Sequence, residues 1–362
     1  MSEKKFKICL TGGGTGGSVT PLLGLYDYLV TTPDFNSNDF IWLGSRNGLE
    51  KAIVTEKGIA YLSIFSGKLR RYFSLQNILD ILFIKIGFLQ SLYFLFKYRP
   101  NIIISAGSFV AVPVVVAGWF LRIPSIVHQM DVRPGLANKI MAKFASTITV
   151  TFDKSLSNYG DKAILAGNIV RPEIKQAPKL DKISIKKELK MTGSKPVLLV
   201  VGGGTGASGI NKLIINNQTE LEKICQMIHQ TGADKEQGVV SKNYQAVEFL
   251  SAQLLAKYYS IADLVISRAG LGFISELSAL SKPSVVIPMP NSHQEDNANL
   301  LKEKKASYIV DQNISSENFV SAIKDLLNNL GELDSLGRNI HNIMSTDAEI
   351  VFYNLIKKYI KY

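Results

Sequence analysis

The chain of 362 residues is too long for one ordinary core, and 46% apolar content is enough to fill two, which excludes a small single-domain or a disordered protein. A net charge of +11 asks for an acidic partner, whether a phosphorylated substrate, an anionic membrane or nucleic acid, without choosing among them. Two cysteines, Cys9 and Cys225, lie far apart in apolar stretches and read as buried free thiols of a reducing compartment rather than a disulfide.

The start MSEKKFKICL carries no long apolar region and reads as no signal peptide. Strands are expected at 6–10, 40–43, 61–65, 102–105, 125–127, 148–150 and 163–165, with helical patterns between them, a doubly wound α/β arrangement. Behind the first strand comes TGGGTGGSVTP, a turn whose missing side chains let backbone amides approach an anion closely. Gly12, Gly14 and Gly17 satisfy the dinucleotide spacing G-x-G-x-x-G, but the second strand closes in IWLGSRNG with no acidic residue for a ribose. Neither this loop nor its later copy is followed by the Lys-Ser/Thr pair of a P-loop kinase.

The stretch from Leu75 to Pro100 is apolar almost all round, broken by Asp80, Lys85 and Gln90, with Lys68, Arg70, Arg71 and Lys97 as basic neighbours. Two readings stand: a helix lying partly in an anionic bilayer surface, or a core helix behind a solvated basic loop. The segment SFVAVPVVVAGWFL, 108–121, is too short to span a membrane and contains Pro113, so it is expected in the core.

Periodicity stops in GNIVRPEIKQAPKLDK, 167–182, where proline and charge rise as in an interdomain linker. KPVLLVVGGGTGASGINKLI then restarts strand, glycine loop and helix, and alternation continues through ICQMIHQTG, ADLVISRAG, PSVVIPMP and ASYIV. The pentapeptide GGGTG occurs identically at Gly12 and at Gly202, so two Rossmann-like domains with equivalent first turns, facing across a cleft, are expected. The domains are placed at 1–170 and 171–345, with a terminal helix at 346–362 free to pack back on the first.

In SRAGLGFISELSALSKPSVVIPMPNSHQEDNAN, Gly270 and Gly272 open a helix whose amides suit a phosphate, and Glu276 follows about one turn in, within reach of both hydroxyls of a ribose. The plainer alternative for Glu276 is a charge near the helix N-terminus favoured by the dipole. The cluster His293-Gln294-Glu295-Asp296-Asn297 offers hydrogen bonds to sugar hydroxyls, or simply starts a polar helix. No Cys/His metal spacing, Asp-x-Asp pair or G-x-S-x-G elbow occurs, so neither metal nor cofactor is expected.

The motifs GGTGGSVTP, GSFVAVP, VHQMDVRPGLANK, GNIVRP, VVGGGTGAS, HQTG, SRAGLGFISE and HQEDNAN cover nearly the whole chain. In their order and spacing the sequence resembles the MurG family. Those transferases move N-acetylglucosamine from UDP-N-acetylglucosamine to undecaprenyl-diphosphoryl-muramoyl-pentapeptide, converting lipid I to lipid II in peptidoglycan synthesis. The resemblance implies the GT-B glycosyltransferase fold, α/β with two Rossmann-like domains, the polyprenyl-diphosphate acceptor on the first and the UDP-sugar on the second. It implies no nucleic acid, and a peripheral place on the cytoplasmic face of the cell membrane through Lys68, Arg70, Arg71 and the helix from Leu75 to Lys97. Carried across residue by residue, Glu276 would hold the UDP ribose, and Arg171 with Gly270, Leu271, Gly272 and Phe273 would lie about the uracil and phosphates. Gly204 and Thr205 would belong to the donor loop, Gln294 and Asn297 would meet the sugar, and Thr15, Gly16 and Gly17 would face the acceptor diphosphate.

The chain departs from the family pattern at the site itself. Ser18 stands where the family has histidine, Gln129 and Asp131 stand for Glu and Asn, and Gly204-Thr205 replaces Ser-Gln. Inverting transfer needs a base for the acceptor hydroxyl, and a serine hydroxyl is not one at neutral pH. Asp131 and His128 remain, ranked equally, with His128 open to the alternative of an imidazole bonded to its own loop. Three functions are therefore carried forward: the lipid II reaction, a related UDP-sugar transfer to another lipid or polysaccharide acceptor, and a non-catalytic nucleotide-sugar or lipid-diphosphate binding protein.

Overall fold

Runs such as IIIS and VLLVV are apolar without alternation, the pattern of strands buried on both faces, and parallel sheets covered by helices satisfy it. The computed structural model describes residues 6–14, 16–48, 50–67, 76–191, 193–203, 206–233, 235 and 237–360, excepting the side chains of 76–79 and 81. They form two units, Met1–Ile169 with Ser345–Tyr362, and Val170–Met344.

In the first unit the strands are β1 (Ile8–Thr11), β2 (Phe40–Ser45), β3 (Ala60–Ile64), β4 (Ile102–Ser105), β5 (Ser125–Gln129), β6 (Thr147–Val150) and β7 (Ala163–Leu165). They pair in parallel in the order β3-β2-β1-β4-β5-β6-β7, with Leu10 of β1 level with Trp42 on one side and Ile104 on the other. Alternate β1 residues feed separate cores. Ile8 and Leu10 pack with Leu22, Leu25 and Leu29 of the helix Thr20–Leu29 and with Phe352 and Ile356 of the helix Ala348–Ile360. Cys9 faces Val114, Val115 and Ala117 of the helix Ala111–Phe120. The terminal helix is further tied to this unit by the Lys357–Asp34 ion pair at 2.7 Å.

The second unit holds β8 (Val197–Val201), β9 (Gln226–Gln230), β10 (Tyr244–Val247), β11 (Leu264–Ser267), β12 (Ser284–Val286) and β13 (Tyr308–Ile309), again all parallel, in the order β10-β9-β8-β11-β12-β13. Both sheets therefore share one winding. The strand order reverses between the first and fourth strands of each, and the carboxyl ends there are where ligands bind in such sheets.

Three expectations change. β10 has no counterpart in the sequence reading, because it is an edge strand with only Tyr244 buried and carries little apolar signal. The 108–121 segment is core only in part, since Trp119 and Phe120 at its end are 51% and 60% exposed. The supposed linker at 167–182 is ordered, with the short helix Pro172–Lys175 seating Ile174 and the turn Ala177–Lys179 seating Ala177 in the second unit.

Candidate functional site

In the first unit the reversal point lies between β1 and β4, and the glycine turn after β1 is held from several elements. Gly12 and Gly13 are buried, whereas Gly14, Gly16 and Gly17 are exposed. The Trp42 indole donates to the Gly12 carbonyl at 3.1 Å, and Ser108, in the loop after β4, donates to the Gly13 carbonyl at 2.6 Å. Gly14 has φ 76°, and a side chain there would stand 2.8 Å from the Phe109 ring, so only glycine fits. Ser18 is buried and donates to the Gly13 carbonyl at 3.2 Å, which makes it a brace of the turn.

Glu50 is the residue sequence reasoning missed. It sits at the start of the helix Glu50–Glu56, 1% exposed, and its carboxylate accepts from Ser45 N at 2.9 Å and from Gly14 N at 3.2 Å. The only signal was its place soon after the second strand, where the dinucleotide pattern wants an acid. Because it takes an amide of the turn itself, with Ser45 and Tyr61 holding its other oxygen, this acid is a brace of the turn.

His128 and Asp131 part company. His128 lies in β5, 1% exposed, with Nδ1 3.0 Å from Thr149 Oγ1, Nε2 3.2 Å from Asn168 Oδ1 and its ring against Phe352. Burial pushes its pKa down to about 4, so it is neutral at physiological pH, and both nitrogens are engaged inside the unit. That is the imidazole bonded to its surroundings, not one presented to a substrate. Asp131 follows β5 at the same carboxyl edge and is half-buried. Its backbone is pinned by Gln129, whose Nε2 donates to Asp131 O at 2.6 Å while its Oε1 accepts from Asn138 at 2.6 Å and from Tyr159 at 2.9 Å.

In the second unit, β8 and β11 adjoin with Val201 beside Ser267, which brings the second glycine loop next to the helix Leu271–Leu280. Gly270 precedes that helix and nothing lies within 4 Å of where a side chain would be on Gly270 or Gly272, so the helix start is uncovered there, and its first amides have no acceptor within the helix. Glu276 is 6% exposed, with Oε1 2.6 Å from Arg171 Nη2 and Oε2 accepting from Tyr259 Oη at 3.0 Å. Arg171 Nε is buried without a partner among the described residues. Lys235, also missed in the sequence, points its ammonium at Ser208 Oγ, 3.2 Å away, at the end of the glycine loop.

Two family descriptions match the chain in sequence order. A glycosyltransferase family 28 N-terminal domain covers residues 8–150, and the corresponding C-terminal domain covers 197–346. The chain belongs to glycosyltransferase family 28.

Within family 28, the chain is 34% identical to a Borrelia hermsii protein over 99% of this chain and 98% of that one, and 36% identical to a Clostridium perfringens protein over 94% and 97%. Both relatives are named UDP-N-acetylglucosamine–N-acetylmuramyl-(pentapeptide) pyrophosphoryl-undecaprenol N-acetylglucosamine transferase. MurG of Acinetobacter baumannii superposes with a TM-score of 0.73 at 21% identity, covering 98% of this chain and 99% of that one, a likeness of fold. The family 28 fold is the two-domain α/β GT-B type.

The remaining expected residues of the family 28 site sort by position. Phe273 is half-buried beside the open helix start, and Gln294 accepts from Met289 N at 3.0 Å. Asn297 is buried and donates to the Ala269 carbonyl at 3.0 Å, bracing the loop ahead of Gly270. Thr15, Lys68, Arg70, Arg71, Leu75, Gly204 and Thr205 lie outside the described residues.

Proposed function

We propose that the protein is an inverting transferase that moves N-acetylglucosamine from UDP-N-acetylglucosamine to undecaprenyl-diphosphoryl-muramoyl-pentapeptide. The observation that carries this reading is the buried carboxylate of Glu276, oriented by Arg171 and Tyr259 and lying just inside a helix whose start is uncovered. That is a ribose-binding acid beside a diphosphate-binding terminus, in a chain that shares a third of its residues with transferases of that name.

In this mechanism Glu276 accepts the ribose hydroxyls and the amides at Gly270, Leu271 and Gly272 receive the diphosphate, joined by the Lys235 ammonium. Arg171 Nε adds a buried donor toward the nucleotide. As the bond from C1 to the UDP oxygen breaks, the charge gathering on UDP meets groups already in place. The acceptor diphosphate lies on the exposed turn of Gly14, Gly16 and Gly17. Asp131 takes the proton of the attacking hydroxyl, since His128 is engaged within its unit and Ser18 braces the turn.

A peripheral membrane position belongs to the same reading. Among the described residues no helix is long and apolar enough to cross a membrane. The helix Gln76–Tyr98 leaves Leu82, Leu89, Tyr93 and Phe96 exposed at helical spacing, and Trp119 and Phe120 extend the patch through the Phe88–Phe120 ring contact at 5.6 Å. Lys85, Lys97, Arg99 and Arg122 surround it, all exposed, a combination suited to anionic lipid. The test is turnover of UDP-N-acetylglucosamine with a lipid I analogue, and UDP binding without turnover would overturn the transferase reading.

A further inference from the structure

A buried carboxylate next to an anion-binding turn opposes the very ligand the turn invites, so what it organises must offset that opposition. Glu50 accepts from Ser45 on one side and from the Gly14 amide on the other, and Tyr61 Oη reaches the same carboxylate at 3.4 Å. Gly13 and Gly48 are both glycine where any side chain would run into this carboxylate. On its other face Gly14 meets the Phe109 ring, in a left-handed conformation that the chain keeps only under restraint. Glu50 therefore reaches the turn from a helix well separated in sequence and takes one amide out of it.

We propose that Glu50 is a positioning residue for the acceptor diphosphate: by gripping the Gly14 amide it sets the shape of the turn and decides which amides are left to meet phosphate. The proposal rests on the reading of this turn as the acceptor side. Phosphate binds the amides that remain, at Gly16 and Gly17, where the chain enters the helix Thr20–Leu29. Release of Gly14 would let the turn sample other shapes, and the lipid-diphosphate substrate would bear the loss while UDP-N-acetylglucosamine, held by the other unit, would not.

The test is Glu50→Gln, which keeps the volume but turns an acceptor into a donor facing either Gly14 N or Ser45 N. The KM for the lipid I analogue is expected to rise about tenfold, as loss of a hydrogen bond to a charged group does, with the KM for UDP-N-acetylglucosamine unchanged. Amide hydrogen exchange at residues 12–14 is expected to quicken. Tyr61→Phe, which loosens the same carboxylate on the side away from Gly14, is expected to leave the acceptor KM in place. An unchanged acceptor KM in Glu50→Gln, an equal rise for both substrates, or an equal effect of Tyr61→Phe overturns the proposal. If the wild-type protein does not use the lipid acceptor at all, the acceptor reading fails, and unchanged exchange in Glu50→Gln would still overturn the grip on its own.

Discussion

Tyr259 donates a 3.0 Å hydrogen bond to Glu276 Oε2 from a side chain with no exposure to solvent. Burial, and after it the neighbouring carboxylate, pushes the phenol well above its ordinary range, so Tyr259 stays a donor at any working pH. With Arg171 on the other oxygen, the Glu276 carboxylate is held from both sides.

From this follows the first prediction. Glu276→Gln removes the charge that Arg171 and a ribose both use, and UDP affinity by calorimetry should fall about 10- to 100-fold. Tyr259→Phe removes one neutral donor and should cost about fivefold, with kcat at saturating donor unchanged. Normal UDP binding by the Glu276 variant would refute the donor assignment.

Asp131→Asn should lower kcat by about 10²- to 10⁴-fold while UDP affinity stays the same. Ser18→Ala should instead lower stability by about 1 kcal/mol, from the lost bond to the Gly13 carbonyl, and keep most of the turnover. Unchanged turnover in Asp131→Asn would exclude Asp131 as the base.

Acid should weaken each unit through one histidine. Burial lowers both His128 and His229 to about 4, against about 6.5 in an unfolded chain, so the unfolded state binds the proton first. Stability from these groups is complete above about pH 6.5 and is lost as pH falls toward 4, by up to a few kcal/mol for each. Thermal melts between pH 7.5 and 4.5 should register the decline, and NMR titration should find both imidazoles neutral at pH 5.5.

Leu89→Glu combined with Phe96→Glu should weaken binding to phosphatidylglycerol vesicles at least tenfold, measured by sedimentation, since each exposed apolar side chain offers about 1.5–3 kcal/mol when fully buried. Turnover of a short-chain, water-soluble acceptor analogue should be unaffected by the pair. Wild-type binding should also fall as salt rises, given the exposed Lys85, Lys97, Arg99 and Arg122 around the patch.

Continuous apolar runs determined the strands of both sheets except the edge strand β10, and the repeated GGGTG determined that two similar windings follow one another, because burial on both faces and tight turns leave local marks. The placement of Glu276 was legible for the same reason: a helix start and the acid one turn inside it are neighbours along the chain. Only the tertiary structure decided what each of these polar side chains touches. His128 and Asp131 are three positions apart, yet strand alternation and the end of β5 send one into the core and leave the other at the sheet edge. Ser18 became a brace once Gly13 folded back over it, and Glu50 reached Gly14 across parallel strands. The fate of a polar side chain is set by which partners the fold brings within 3 Å, and those partners come from distant stretches of chain.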